Sequence, residues 1–249
     1  MNTIIGDIGN TVTKICLVDV KSFKVQKIIY FDSKNIYSKN FLKKKINKII
    51  KNNNLNRIAL FSSVVPKYHL IIKKFLYKTY RIKLKEIKEK RIKKIVKINI
   101  KNKKQIGSDR IANAVGCYRK YNSNCIVLDF GTATTFDVVT KKGNYNGGII
   151  APGVNLSLKS LVKSADQIPV FSIKKQKKIV GKNTIEALRS GFYWGYSGLI
   201  NNIIRKIEKD TKKKYKIIFT GGYADLFKTT IIKPYVIDKN ITIEGIIEI

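Results

Sequence analysis

The sequence predicts an α/β protein made of two similar domains that face each other across a cleft, and three observations carry the prediction. A strand, an Asp-x-Gly turn and a second strand occur twice: residues 4–18 read IIGDIGNTVTKICLV and residues 126–139 read IVLDFGTATTFDVV. At a spacing of 122 residues Asp7 falls on Asp129, Gly9 on Gly131 and Thr13 on Thr135. Each copy then continues through a third strand into helix and strand patterns, the succession expected of layered α/β domains. The chain has 249 residues and is 44% hydrophobic, enough to bury a core in spite of its charge.

The elements follow in order. After the first hairpin, residues 24–31 (KVQKIIYF) form a third strand. Residues 40–53 carry Leu42, Ile46, Ile49 and Ile50 at helical spacing, and a short strand covers 57–61. Residues 81–104, dense in Lys and Ile, read as a solvated face with one possible strand at 95–100. A helix over 108–121 has Ser108 as N-cap and buries Ile111, Ala114, Val115 and Tyr118. The domain boundary falls near 121–124, giving domains 1–122 and 123–249. In the second copy, 146–151 is the third strand, 154–162 a helix, 184–210 a long helix, and 216–220 a buried strand ending in Gly221-Gly222.

The formal charge is +35, from 51 Lys plus Arg against 16 Asp plus Glu. Of the basic residues 44 are Lys and seven are Arg. Base-reading and phosphate-clamping surfaces favour the planar fork of Arg, so this excess points away from specific nucleic-acid binding. Cys16, Cys117 and Cys125 form no C-x-x-C pair, and His69 is the single histidine. The cysteines therefore read as buried thiols, and His69 as structural rather than as a metal ligand. No window approaches 18 uninterrupted apolar residues, and the N-terminus carries no leader pattern. A cytoplasmic protein with no membrane role is expected.

A tight Asp-x-Gly turn between strands offers backbone N–H groups to an anion while its carboxylate holds a cation beside it; phosphate and Mg2+ are the natural pair. One such turn is unremarkable in a hairpin. Two at equivalent places, with a Gly-Gly after a late strand, favour the phosphate reading over a plain hairpin loop. No G-x-x-x-x-G-K-[ST] occurs, and no G-x-G-x-x-G follows a strand, so P-loop and Rossmann sites are excluded.

The strings DIGNT (7–11), GSDRIANAVG (107–116), DFGTATTFD (129–137), GGIIAPG (147–153) and TGG (220–222) together resemble type III pantothenate kinase, of the acetate kinase, sugar kinase, heat-shock chaperone and actin superfamily. The resemblance implies two duplicated ribonuclease H-like domains, the actin-like ATPase fold, around a central cleft. It implies ATP-dependent phosphorylation of the 4′ hydroxyl of pantothenate, the first step of coenzyme A synthesis, in a homodimer that uses Mg2+ and a monovalent cation, K+ or NH4+. Carried over, Asp7, Ile8, Gly9, Asn10, Thr11, Val12, Thr13 and Lys14 form the first phosphate turn, with Asp7 orienting hydrated Mg2+. Thr132 contacts ATP, and Asp129 ligates the monovalent cation. Gly107, Ser108, Asp109 and Arg110 meet pantothenate, Asp109 as the base and Arg110 opposite a carboxylate or phosphate oxygen. Thr184 touches the substrate from the partner subunit, and Gly221 and Gly222 let the backbone approach adenosine.

Several of these residues have plainer readings. Asn183-Thr-Ile-Glu186 is also a good helix cap, and the aromatics Phe192, Tyr193, Trp194 and Tyr196 read as core or dimer interface. Asp109, in the first turn of a helix, is expected to be a weak base because the dipole favours its ionised form. Ile100 and Lys103 stand where the family usually carries Tyr and Pro, which predicts rearranged substrate contacts. The rival readings are a non-catalytic regulator that keeps the ATP fold, and a sugar or acetate kinase of the same superfamily.

Overall fold

The computed structural model describes residues 1–50, 54–231 and 233–249. Their contacts divide the chain into two units, one of Met1–Lys120, Lys142–Tyr145 and Asn240–Ile249, the other of Tyr121–Lys141 and Asn146–Lys239.

In the first unit, β1 (Asn2–Ile8), β2 (Val12–Asp19) and β3 (Val25–Asp32) form an antiparallel meander. Helix α1 (Lys39–Ile50) follows, then β4 (Ile58–Ser63), α2 (Pro66–Tyr80) and β5 (Lys83–Glu86). The sheet order is β3-β2-β1-β4-β5, with β4 and β5 parallel to β1 and to each other. Ile4, Ile8, Ile15, Leu17 and Phe61 of this sheet pack with Leu42 and Ile46 of α1 and Ile72 and Leu76 of α2. The predicted helix over 40–53 is α1; its last three residues, 51–53, lie outside the described residues.

Helix α2 is an element that the apolar spacing does not mark. Its stripe is Ile72, Phe75 and Leu76, but Leu70 on the same run is exposed, which blurs the helical period. Pro66 starts it, where a missing N–H costs nothing. It ends at Arg81 in the left-handed region, φ 58°, whose N–H reaches the Leu76 and Tyr77 carbonyls.

The reading of 81–104 as a solvated face is corrected. Ile82, Leu84, Ile87, Ile92, Val96 and Ile98 are all buried. The lysines between them stay outside, so the segment makes an edge strand, then 3-10 turns at Ile87–Glu89 and Ile92–Lys94, then the short β6 (Lys97–Ile98). Alternating Lys and Ile is the signature of a half-buried strand, and the high charge hides it in the average.

Helix α3 (Ser108–Tyr121) has the predicted limits. In the second unit, β7 (Cys125–Phe130) and β8 (Ala133–Val139) form the second hairpin, followed by β9 (Asn144–Pro152), α4 (Val154–Ser164) and the long α5 (Thr184–Thr211). Then come β10 (Lys216–Gly221), the short α6 (Ala224–Phe227), β11 (Tyr235–Ile237) and α7 (Ile241–Ile247). The order β11-β10-β7-β8-β9 repeats that of the first sheet, with β10 parallel to β7 and β11 parallel to β10. β6 bridges the first two residues of β9, Asn144 and Tyr145. Phe130, Phe136, Tyr193, Ile200, Phe219 and Phe227 fill the core of this unit.

The two hairpins differ by one residue. In the first, Gly9 N–H donates to the Val12 carbonyl at 3.1 Å and Ile8 faces Thr13. In the second, Gly131 N–H donates to the Ala133 carbonyl at 3.0 Å and Phe130 faces Thr134. The shorter loop shifts the register, so the counterpart of buried Thr13 is buried Thr134, not Thr135 as the linear spacing suggests.

Helix α7, at the far end of the sequence, returns to the first unit. Gly116 of α3 and Gly245 of α7 meet there: a Cβ on Gly116 would strike the Ile241 carbonyl and lie 3.0 Å from the Gly245 nitrogen. Neither neighbour is a side chain that can swing away. Gly116→Ala should therefore destabilise the fold by about 1–3 kcal/mol, the range for overpacking, read as a lower midpoint of urea unfolding with an unchanged slope.

Candidate active site

β1 and β7 are central strands, apolar on both faces, and each ends in an Asp followed by its turn. Asp7 pairs across the sheet with Lys14 on β2 and with Ser62 on β4. Asp129 pairs with Thr135 on β8 and with Thr220 on β10. Both carboxylates thus stand at the C-terminal ends of parallel strands, the edge where α/β sheets bind ligands.

Within the first turn, Asn10, Thr11 and Val12 are exposed, while Ile8 and Thr13 are wholly buried. The buried pair can serve a ligand only through the main chain and by holding the turn. Sequence reasoning missed the residue that braces it. Ser33, itself fully buried, donates its hydroxyl to the Gly9 carbonyl at 2.7 Å, lies 2.8 Å from the Thr13 hydroxyl, and donates its N–H to the Thr11 carbonyl at 2.8 Å. A lone Ser after a strand gives no signal in a single sequence. Lys14 places its ammonium 5.3 Å from the centre of the Tyr30 ring.

In the second turn Gly131 and Thr132 are exposed. Gly221 has φ 83°, and a Cβ there would lie 2.6 Å from the Phe130 oxygen and 2.7 Å from Asp129 Oδ1. Asp129 and the Phe130 backbone therefore approach Gly221 so closely that only glycine fits there, and the Gly222 N–H donates to the Phe130 carbonyl at 3.0 Å. Hard oxygen donors of this kind suit an alkali or alkaline-earth cation. Among the described residues no group of three or more His, Cys, Asp or Glu is placed to hold a metal.

Gly107, Ser108, Asp109 and Arg110 open α3. Ser108 is buried, Ile111 N–H reaches the Gly107 carbonyl at 3.2 Å, and the Asp109 carboxylate folds back over Gly107, where a Cβ would collide with it. Asp109 Oδ1 accepts the Arg110 N–H at 2.8 Å, and the Arg110 guanidinium lies over the ring of Tyr145. Burial pushes the Asp109 carboxyl above the usual carboxylate range; the Arg110 N–H and charge pull the other way and are outweighed. The expectation that the helix dipole decides the ionisation of this carboxyl is thereby corrected. Helix-end stabilisation amounts to a fraction of a kcal/mol at exposed sites, whereas removing a carboxylate from water costs more.

Thr184 is exposed at the first position of α5, and Asn183 Oδ1 caps that helix by accepting the Glu186 N–H at 2.9 Å. Glu186 does not close the box on Asn183 but accepts the Lys182 N–H at 2.8 Å. Tyr193 is core, stacked on Phe227, while Trp194 is 37% exposed. His69 Nδ1 is buried with no hydrogen-bond partner, and burial lowers the imidazole pKa, which fits a structural residue. By unit, the first turn and the Gly107–Arg110 segment belong to the first, and Asp129, Thr132 and Thr184 to the second. Surface hollows of about 430 and 410 Å3 along the C-terminal half of α5 include none of these residues.

The raised Asp109 value has a consequence for stability. The folded state holds this proton more tightly than the unfolded chain, whose value is near 3.8. The stability it contributes is full below that value and is lost as pH rises through the folded value. Asp109→Asn keeps the acceptor for the Arg110 N–H and removes the buried charge. The variant should melt above wild type at about pH 7, with the gap narrowing as the pH is lowered towards about 4.

Three comparisons place this geometry among known proteins. A family model described as type III pantothenate kinase matches residues 3–206. A type III pantothenate kinase of Pelagibacter ubique is 48% identical over 98% of this chain and 96% of its own length. One from Paramagnetospirillum magneticum is 35% identical over 78% of this chain and 76% of its own. Among solved structures, the ethanolamine utilization protein EutJ of Carboxydothermus hydrogenoformans aligns with a TM-score of 0.61 at 14% identity, covering 100% of this chain and 89% of that one. The activator of 2-hydroxyisocaproyl-CoA dehydratase from Clostridium difficile aligns at 0.55 with 9% identity, covering 100% and 92%. These likenesses show the fold, duplicated ribonuclease H-like units of the actin-like ATPase class. No helix among the described residues is long and apolar enough to cross a membrane. With the profile over most of its length and a relative at nearly half identity from end to end, the chain belongs to the type III pantothenate kinase family.

Proposed function

We propose that this chain transfers the γ-phosphoryl group of ATP to the 4′ hydroxyl of pantothenate, giving 4′-phosphopantothenate and ADP in the first step of coenzyme A synthesis. The observation that carries the site assignment is the start of α3, where a half-buried carboxyl with a raised pKa sits on Gly107 beside Arg110. Asp109 accepts the hydroxyl proton as the substrate oxygen forms its bond to phosphorus and the bond to the ADP oxygen breaks. Such transfers pass through a loose transition state, so positioning and charge carry most of the rate. A base whose pKa is lifted towards neutrality takes the proton more readily at the moment of attack.

Gly107, Ser108 and Arg110 bind pantothenate with Asp109, Ser108 through the main chain because its side chain is buried. Asn10, Thr11 and Val12 form the exposed rim of the ATP turn together with Asp7, Gly9 and Lys14, and Ile8 and Thr13 anchor it from the core. Thr132 meets the nucleotide from the second turn, with Gly221 and Gly222 by adenosine. Asp7 would hold hydrated Mg2+; one carboxylate suffices because that ion takes its remaining ligands from phosphate and water. Asp129, with the Phe130 carbonyl beside it, would hold K+ or NH4+. When bound, the two cations neutralise phosphate charge.

The homodimer belongs to the same reading. On α5, Gly191, Gly195 and Gly198 leave open space where side chains would stand, next to half-exposed Trp194. A second copy packed on this face would bring Thr184 of one subunit to the pantothenate of the other. Domains 1–122 and 123–249 describe the two copies of the duplicated unit. The enzyme is placed in the cytoplasm, and its basic surface is given no specific nucleic-acid or membrane role.

Two outcomes test this reading. Purified protein given ATP, Mg2+ and pantothenate should release ADP only with pantothenate, and faster with K+ than without. Asp109→Asn should lower kcat by roughly 100-fold or more with ATP binding retained. Folded, ATP-binding protein that shows no pantothenate-dependent ADP under any cation would overturn it in favour of a regulator or another acceptor. Separately, Gly195→Leu should convert a dimer into a monomer in sedimentation; an unchanged mass would remove α5 from the interface.

A further inference from the structure

We propose that Tyr145 is a positioning residue for pantothenate recognition, its ring forming the seat that orients the Arg110 guanidinium towards the substrate carboxylate. The inference rests on the role given to Arg110 above and assigns a function to a residue outside every motif that pointed to the site. The guanidinium carbon lies 5.9 Å from the centre of the Tyr145 ring, and Tyr145 is only 1% exposed. Arg110 needs such support. It stands in the first turn of α3, the end of a helix where the dipole opposes positive charge, and it is partly withdrawn from water. The negative face of a buried ring offsets that cost and fixes the plane of the fork.

The main chain that carries the ring is pinned by a neighbouring strand. Ile98 of β6 pairs with Tyr145, Asn99 N–H donates to the Tyr145 carbonyl at 2.8 Å, and Lys97 N–H donates to the Gly143 carbonyl at 2.9 Å. Gly143, with φ 72°, packs on the ring of Tyr118, where a Cβ would come within 3.0 Å. Residues 143–145 therefore lie along one side of α3, with Gly143 against Tyr118 and Tyr145 against Arg110, two helical turns apart. Ile100 and Lys103, which replace the usual Tyr and Pro, lie two and five residues beyond the strand that pairs with Tyr145. With an aliphatic residue at 100, more of the recognition falls on how well Arg110 is aimed.

The test is steady-state kinetics on the full chain for wild type, Tyr145→Phe, Tyr145→Leu, Arg110→Lys and the Leu/Lys double variant. Tyr145→Phe keeps the ring face and should stay within about twofold of wild type. Tyr145→Leu should raise KM for pantothenate about tenfold, with KM for ATP and kcat changed by no more than about twofold. The double variant should be no worse than Arg110→Lys alone, because the two substitutions break one interaction. Should the Leu variant fold poorly, fluorinated phenylalanines at 145 keep the shape and drain the ring's negative face; KM for pantothenate should then climb with each added fluorine. An Arg110→Lys effect with none from Tyr145→Leu or fluorination overturns this inference alone, as do effects that multiply in the double variant or fall equally on both substrates. No effect of Arg110→Lys on KM for pantothenate overturns the role of Arg110 and this inference with it.

Discussion

Burial of the two central strands fixes where charge can sit along them. β1 and β7 are covered on both faces, and a carboxylate placed within them would lose its hydration with nothing to replace it. Asp7 and Asp129 are tolerated only where each strand leaves the core, half-buried and beside a hydroxyl residue of the parallel neighbour, Ser62 in one unit and Thr220 in the other. The turns that follow are polar because the core ends there. That each Asp-x-Gly turn follows the C-terminal end of a central strand is thus a consequence of packing as much as of chemistry.

The same contest decides the behaviour of Asp109. Opposing effects act on its carboxyl: the backbone N–H groups of Asp109 and Arg110 at the helix start and the charges of Arg110 and Lys88 favour the charged form, and burial opposes it. Burial is the largest, since the carboxylate lies on Gly107 with Val64 close by rather than in water. Position in the sequence shows the helix start and Arg110 and conceals the burial. The upward shift arises from burial at the start of α3, whereas the residue type and its place in the first turn would alone have implied a shift the other way.

Charge misleads in the opposite direction. Forty-four lysines make the chain look like a solvated polyelectrolyte in places, most of all over 81–104. There, apolar residues two to five positions apart reach the core while most of the intervening lysines stay in water. Averaging over such a window discards the alternation that matters. The hollow lined by Arg205, Glu208, Lys209, Lys212, Lys213 and Lys214 shows the surface end of the same bias, and none of the residues proposed for chemistry lines it.

By itself the sequence determined the duplication, the strands and helices of both copies with strong periodicity, the two Asp-x-Gly turns and the helix that begins at Ser108, because these features depend on local spacing and on residues a few positions apart. It left α2 and β5 unread, where exposed Leu70 and interleaved lysines blur the period, and it did not read α6, β11 or α7 after β10. It also mispaired Thr13 with Thr135, since a loop shortened by one residue changes register without changing composition. Only the tertiary structure brought Ser33 under the first turn, Tyr145 under Arg110 and α7 back against α3. Each of those contacts joins residues far apart along the chain, and in a single sequence nothing but the fold connects them.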